Sequence, residues 1–436
     1  MMIMVNRIRK VINYIIIFFC VLAVLTSALI FVAKIPQAKI ADNMRKSAIY
    51  LCEKEVFFHA IEGVPSTMID RYADSILLAI AYQYDSEAPL SSVAWSSYYA
   101  NPLENENENL YEAVTKDKDA NQQYLRYWHG SNVFVRVLHL LFDIRGIYIC
   151  NAVVMALLYV CLATLLIRQR ARVPAVGITI ALIATGTWFV PFSLEYAWTY
   201  IVMLTMSVIG VCFAYKKAWN AVGVFFMVGG MVTNYVDFLT TETLTFTVPF
   251  LLLLWIRSDV EHIQKKEAFV FAGKSAVAWG AGYVGMWVSK WMFASAVLGC
   301  SVMPYVTEHI GERIGGTVGL RLPQYLFGAL ARNVRCLFPL DYGVSGLFVG
   351  LGIGCFSIYL GYVHYGKKED KSLVLLYILL ACIPYVRYLI LHNHAYIHYF
   401  FTYRAQCATV LAVIFILELL TDRRWLIHGT TKKRRR

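Results

Sequence analysis

VINYIIIFFCVLAVLTSALIFVA, residues 11–33, carries no charged side chain and follows the basic start Asn6-Arg7-Ile8-Arg9-Lys10. A hydrocarbon layer about 30 Å thick needs about 20 apolar residues in helical form to cross it. Within that layer every backbone N–H and C=O must be paired inside the segment, which makes the run a helix. It is too long for the apolar core of a cleaved signal peptide, so it reads as a retained anchor entering from a basic cytoplasmic end.

Similar runs recur at about 147–167, 173–190, 197–215, 218–235, 244–256, 268–291, 346–365, 372–391 and 402–420. None alternates apolar and polar positions, which excludes a transmembrane β-barrel. Apolar side chains make up 59% of the 436 residues and charged ones 16%, against nearer half and a quarter in soluble chains. The expected fold is therefore all-α: a polytopic transmembrane helical bundle of about ten spans, with interfacial helices outside after the first span. It divides into a cytoplasmic start and first span (1–33), a large outer segment (34–146), spans two to seven (147–300), a second outer loop (301–345), spans eight to ten (346–420) and a basic tail (421–436).

The net charge of +12 does not indicate nucleic acid, because the cations cluster in short connectors. Arg168, Arg170 and Arg172, then Lys216 and Lys217, then residues 367–371 and 432–436 all fall inside when the N-terminus is inside. Both termini are then cytoplasmic and the protein is multi-pass in the plasma membrane. The segment 34–132 falls outside and is acidic, with Glu104, Glu106, Glu108, Glu112, Asp117 and Asp119. The connector 257–267 is nearly balanced. No internal repeat is visible, which weighs against a transporter built from inverted halves. Of the ten cysteines, Cys20, Cys150, Cys161 and Cys212 lie in apolar runs, and Cys300 and Cys336 share an outer loop where pairing is open.

Two parts of the outer segment look amphipathic. Residues 44–61 interleave Ile49, Phe57, Phe58 and Ile61 with Arg45, Lys46, Glu53, Lys54 and Glu55, and residues 133–144 are apolar except at Arg136, His139 and Asp143. Those three share one helical face. An in-plane helix with its apolar face in lipid explains the second stretch, and such a helix can also wall a groove. Between them lies Met68-Ile69-Asp70-Arg71-Tyr72-Ala73-Asp74-Ser75. Asp70 and Asp74 are spaced for one helical face and are candidate general bases, with Arg71 between them. A solvated helix start with acids at its N-terminus is the plainer reading. Tyr124, Arg126, Tyr127, Trp128, His129 and Gly130 follow, rings that suit sugar faces and donors that suit phosphate.

Ionisable residues at the outer ends of spans are functional candidates by default. They are Glu195, Asp237, Glu242 and Arg387, followed by the turn His392-Asn393-His394-Ala395-Tyr396-Ile397-His398 and Arg404. His394 and His398 share a helical face and suit three roles: a metal pair without the zinc-protease Glu, an aromatic belt with satisfied histidines, or, with Arg387 and Arg404, an anionic headgroup site. The second outer loop adds Arg313, Arg321, Arg332 and Arg335 beside Gly315, Gly316 and Gly319. No Walker loop, nucleotide fingerprint or Ser/His/Asp arrangement is present.

In layout the chain resembles the GT-C class of membrane glycosyltransferases. The strings Asp70-Arg71-Tyr72-Ala73-Asp74, Arg126-Tyr127-Trp128-His129-Gly130, Asp237-Phe238-Leu239-Thr240-Thr241 and His394-Ala395-Tyr396-Ile397-His398 with Arg404 resemble those of a bacterial group in that class. The class often has an acidic pair early in the first outer loop, where this chain has Asp-x-x-x-Asp. The resemblance implies transfer of a sugar from a polyprenyl-phosphate donor to a glycan, lipid or protein acceptor, with inversion. Asp70 or Asp74 would be the base. Arg71, Tyr127, Trp128, His129, Arg136, Glu195, Asp237, Glu242, Arg387, His394, His398 and Arg404 would bind substrate and lipid phosphate, with no metal ligand assigned and a divalent cation left open. A polysaccharide polymerase or ligase, a lipid-linked glycan transporter, and a non-enzymatic membrane scaffold are the rival readings.

Overall fold

The computed structural model describes residues 2–314, 319–363 and 372–421. The basic clusters at 367–371 and 432–436, Gly315, Gly316 and the Arg313 side chain lie outside the described residues. Among the described residues the regular structure is helical apart from one short hairpin in the segment 34–146. Among the described residues, four helices are long and apolar enough to cross a membrane: Ile8–Ala33, Ile144–Arg168, Leu194–Tyr215 and Tyr399–Leu420. Arg172–Ala184, Gly343–Tyr359 and Val374–Ile390 are shorter apolar helices. Val222–Val236, Leu244–Glu261 and Lys265–Leu298 complete the set in the expected runs.

Leu244–Glu261 is apolar on every side because it is buried on every side: each residue from Leu244 to Ile256 is in the core. Its neighbours in that core include Leu194–Tyr215 and the C-terminal helix. Val222–Val236 and Lys265–Leu298 touch through backbone. A Cβ on Gly230 would stand 2.0 Å from the Trp279 carbonyl oxygen, and one on Gly282 would stand 2.0 Å from that of Met227. Small residues at such a crossing permit helix contact where no hydrophobic force drives it.

A second core joins the end of the first helix to the outer segment, through Leu29, Val32, Met44, Leu51, Leu77 and Leu78. Here the structure differs from the sequence pattern in two places. The expected helix over 44–61 is Ala41–Cys52, and Phe57–His59 instead pairs antiparallel with Met68–Asp70. Thr67 closes the intervening loop, since its hydroxyl donates to Val64 O (2.8 Å) and accepts from Ile61 N (3.0 Å). The stretch 133–144 is helical over Asn132–Leu138, then turns into Ile144–Arg168.

Arg136, His139 and Asp143 do not form a common polar face. Asp143 caps the N-terminus of Ile144–Arg168 by accepting from Gly146 N (3.2 Å). Buried His139 meets Ser47 Oγ (3.1 Å) and Val135 O (2.8 Å), and burial lowers its ring to about 4. Arg136 is fully buried. Its Nε donates to Val32 O (3.0 Å), and its two terminal nitrogens reach the carbonyls of Ala81, Ile35 and Tyr84. These carbonyls close Ile8–Ala33 and Arg71–Tyr82, where the last turns leave acceptors without intrahelical donors. A guanidinium satisfies several at once and opposes the negative helix ends. Arg136 therefore clamps two helix ends, with four of its five N–H groups committed to backbone carbonyls. Phe134, Val137 and Leu141 remain exposed on the opposite side. Cys300 and Cys336 are both free thiols.

Replacing Arg136 with Leu leaves several buried carbonyls unpaired, at about 1–3 kcal/mol each. Arg136→Leu should lower the Tm in detergent and open residues 34–146 to limited proteolysis before the bundle unfolds; an unchanged Tm and cleavage pattern would reject the clamp.

Candidate functional site

The site begins where the hairpin becomes a helix. Asp70 pairs with Phe57 as the last residue of its strand and is also the N-cap of Arg71–Tyr82, its Oδ1 accepting from Ala73 N (2.9 Å). Strand on one side and helix on the other fix its backbone, and ten of the helix's twelve residues are buried. One turn on, Asp74 is fully buried. Its Oδ1 accepts from Leu194 N (2.8 Å), Ser193 Oγ (3.2 Å) and Glu195 N (3.4 Å), and its Oδ2 accepts from Tyr148 Oη (2.5 Å). A carboxyl from the segment 34–146 thus caps the N-terminus of Leu194–Tyr215, a helix long and apolar enough to cross a membrane.

That cap brings Glu195 against Asp70. Burial, the largest effect, raises the Asp70 carboxyl to about 6, and the Ala73 amide and the neighbouring Glu195 side chain pull it down in part. Asp74 is raised by burial to about 7 despite the Tyr148 and backbone donors.

Asp70 and Glu195 line a chamber of about 780 Å³. Its walls include Tyr72, Tyr98, Tyr124, Phe238 and Phe400, with Gln122, Gln123, His394 and His398 as further polar groups. The two histidine rings are 4.8 Å apart between centroids. Tyr72 stacks on Phe57 at 5.8 Å. Among the described residues, no three His, Cys, Asp or Glu side chains come together as a metal site.

A second chamber, about 450 Å³, adjoins the first through Arg126 and His309, which line both. It is walled by Tyr127, Tyr283, Trp287, Trp291, Val386 and Ile390, among others. Arg387 also lines it. Glu242 grips this guanidinium at Nε (2.6 Å) and Nη2 (3.0 Å), and Nη2 also donates to Leu239 O (2.7 Å). The buried Arg387 Nη1 has no hydrogen-bond partner among the described residues. Arg126 lies over the Tyr124 ring (4.3 Å) and donates from Nη2 to its hydroxyl (2.9 Å), while its buried Nε likewise has no partner among them.

The structure thus gathers Asp70, Glu195, His394 and His398 in one chamber and Tyr127 and Arg387 in the other. The remaining candidates lie outside both, each in a packing or backbone role. Asp74 is the helix cap. Arg71 donates to Tyr50 O (2.7 Å) and Leu51 O (2.8 Å). Trp128 Nε1 donates to Met286 O (2.7 Å). His129 is buried beside Phe238 and reaches Tyr124 O (3.2 Å); burial first, then Lys290, hold its ring well below the usual range. Asp237 folds its own loop, accepting from Thr199 and Thr240 hydroxyls and from Leu239 N (2.9 Å). Glu242 acts through Arg387. Arg404 donates to Phe400 O (2.9 Å) and Ser66 O (3.3 Å) over the Tyr196 ring. Arg332 covers the Tyr396 ring from outside (3.9 Å), and Arg321, Arg332 and Arg335 are exposed.

Sequence reasoning passed over His309, Tyr305, Tyr98, Gln122 and Gln123. Arg126 was read as one of several donors that suit phosphate but was not among the named substrate-binding residues. His309 lies on the amphipathic helix Met303–Ile314, and nothing local in the sequence aims that helix at residues about 180 positions earlier.

No known family model, curated protein or solved structure matches this chain.

The raised carboxyls give a signed pH response. Asp70 and Asp74 sit above their unfolded value of 3.8, so the folded protein keeps protons that the unfolded chain has released. Their contribution to stability is complete below pH about 4 and is lost as pH rises through about 6 to 7. The Tm should fall between pH about 5 and about 8, and the Asp70→Asn/Asp74→Asn double variant should flatten that fall; an equal slope in both proteins would show that other groups carry it.

Proposed function

We propose that this protein is a membrane glycosyltransferase of the GT-C kind, moving a sugar from a polyprenyl-phosphate donor to an acceptor hydroxyl at the outer membrane surface. The observation that carries the reading is the pair of buried guanidinium N–H groups without protein partners, on Arg126 and Arg387, in an apolar chamber that adjoins a carboxyl pair. A buried cationic donor left unpaired is costly. An anion with a long apolar tail answers both conditions. Its phosphate pairs with Arg126 and Arg387, its chain lies along Trp287, Trp291, Val386 and Ile390, and its sugar extends past His309 into the ring-lined chamber.

There the acceptor hydroxyl faces Asp70. Burial raises Asp70 only to about 6, with the Ala73 amide and the Glu195 side chain favouring its ionised form, which leaves Asp70 ionised near neutral pH. As the acceptor oxygen bonds to the anomeric carbon from the face opposite the phosphate, its proton passes to Asp70. The bond from that carbon to the phosphate oxygen breaks, and its electron pair leaves with the lipid phosphate, whose growing charge Arg126 and Arg387 stabilise. Inversion follows from the single displacement.

The membrane topology belongs to the same proposal. Ten crossings with both termini cytoplasmic put Asp70, Glu195, Arg387 and the turn at His394 on one side. Each of the ten apolar runs coincides with a helix, which supports the count.

The test is transfer of labelled sugar from a short-chain polyprenyl-phosphate sugar in proteoliposomes. Asp70→Asn should lower kcat about 10²- to 10⁴-fold with the Tm retained. Arg126→Gln should lower kcat/KM about 10- to 100-fold, the loss expected from one charge-assisted contact. The wild-type rate should fall as pH drops below about 6, where Asp70 gains its proton. Full activity in folded Asp70→Asn would remove the base. Full activity in Arg126→Gln would remove the phosphate contact.

A further inference from the structure

On another side of Leu194–Tyr215 lies a third cavity, about 1130 Å³, which shares no lining residue with the two chambers. It runs between Ile144–Arg168, Leu194–Tyr215 and Val222–Val236, and Asn132–Leu138 contributes to its wall. Its lining is apolar, with Val154, Ile201, Ile209, Val224 and Val228 among it, and contains no charged residue. Thr205, Asn151 and Trp198 interrupt it with polar groups, and the last two are buried, at 3% and 6% exposed. Asn151 Nδ2 and Trp198 Nε1 have no hydrogen-bond partner among the described residues. The Trp198 ring stacks on Phe134 at 5.0 Å, which fixes the direction of the indole N–H.

Both unmet groups are donors only, so the absent atom is an acceptor. With no cation in the lining, that acceptor is neutral. This separates the groove from the chamber at Arg126 and Arg387, which suits an anion. The lining along Leu194–Tyr215 runs from Trp198 to Phe213, about 22 Å at 1.5 Å per residue. That exceeds half of a hydrocarbon layer about 30 Å thick and accommodates one extended acyl chain.

We propose that this groove holds one acyl chain of a bilayer glycerophospholipid, whose ester carbonyl accepts from Asn151 and Trp198. The lipid fills the space between three membrane helices and fastens Asn132–Leu138 to them through Phe134 and Val137. The inference does not depend on the glycosyl-transfer reading.

The test is photolabelling of the full chain in vesicles of phosphatidylethanolamine and phosphatidylglycerol that contain a phosphatidylglycerol with a diazirine in its acyl chain. Adducts are expected on peptides covering 150–154 and 201–213. Val228→Trp fills the groove and should lower their yield about tenfold; Asn151→Leu removes one donor and should lower it about fivefold. Should Val228→Trp fail to insert, Asn151→Leu carries the same comparison. Equal labelling of a folded variant and the wild type would overturn the proposal. Labelling of these peptides by a diazirine-tagged polyprenyl phosphate but not by the phospholipid would also overturn it, as would cross-links between two copies of the chain at these residues.

Discussion

The site depends on one interaction, the capping of Leu194–Tyr215 by Asp74. The first turn of a helix leaves amides without acceptors. In a membrane bundle such an end needs a partner from the protein itself, because hydrocarbon supplies none. Asp74 comes from a separate segment about 120 residues earlier and receives the amides of Leu194 and Glu195 and the Ser193 hydroxyl. Tyr148, from a third element, holds its other oxygen. One carboxyl therefore joins the segment 34–146 to two helices of membrane-spanning length, and its place on Arg71–Tyr82 sets Asp70 one turn away from it, against Glu195.

The other ties across this boundary follow the same physical rule. Arg136 gathers carbonyls from the ends of two helices. Lys290, buried in Lys265–Leu298, donates to the carbonyls of Val93 (2.7 Å) and Ala94 (3.1 Å) near the end of Pro89–Trp95. The Ser66 backbone bridges Asp341 and Arg404, its N–H donating to Asp341 (2.8 Å). Much of the charge buried in this protein is thus committed to backbone at helix ends. Three buried guanidinium nitrogens have no partner among the described residues, on Arg126, Arg387 and Arg404, and the first two belong to residues that line the apolar chamber.

The helical class was legible because apolar runs of spanning length permit little else. Asp70 was legible as a candidate because an acid at a helix start is a local signal. Asp74 gave the same local signal and does different work, and only the tertiary partner separates the two. Arg136 and His139 looked like one face of an amphipathic helix with its apolar side outward, and that side is exposed; what local sequence did not give is that the polar side is buried on backbone carbonyls. The hairpin at Phe57–His59 was hidden because three-residue strands leave no usable period. His309 and Arg126 were hidden as a pair, since their convergence is a property of the fold and of no local string.

The most direct measurement of the central claim is a structure in nanodiscs with a polyprenyl phosphate bound. Glycosyl transfer of the proposed kind requires the phosphate between Arg126 and Arg387, the isoprenoid chain along Trp287 and Trp291, and the chamber containing Asp70 and Glu195 open to an acceptor. A phosphate bound elsewhere, with both guanidinium groups still unpaired, would contradict it.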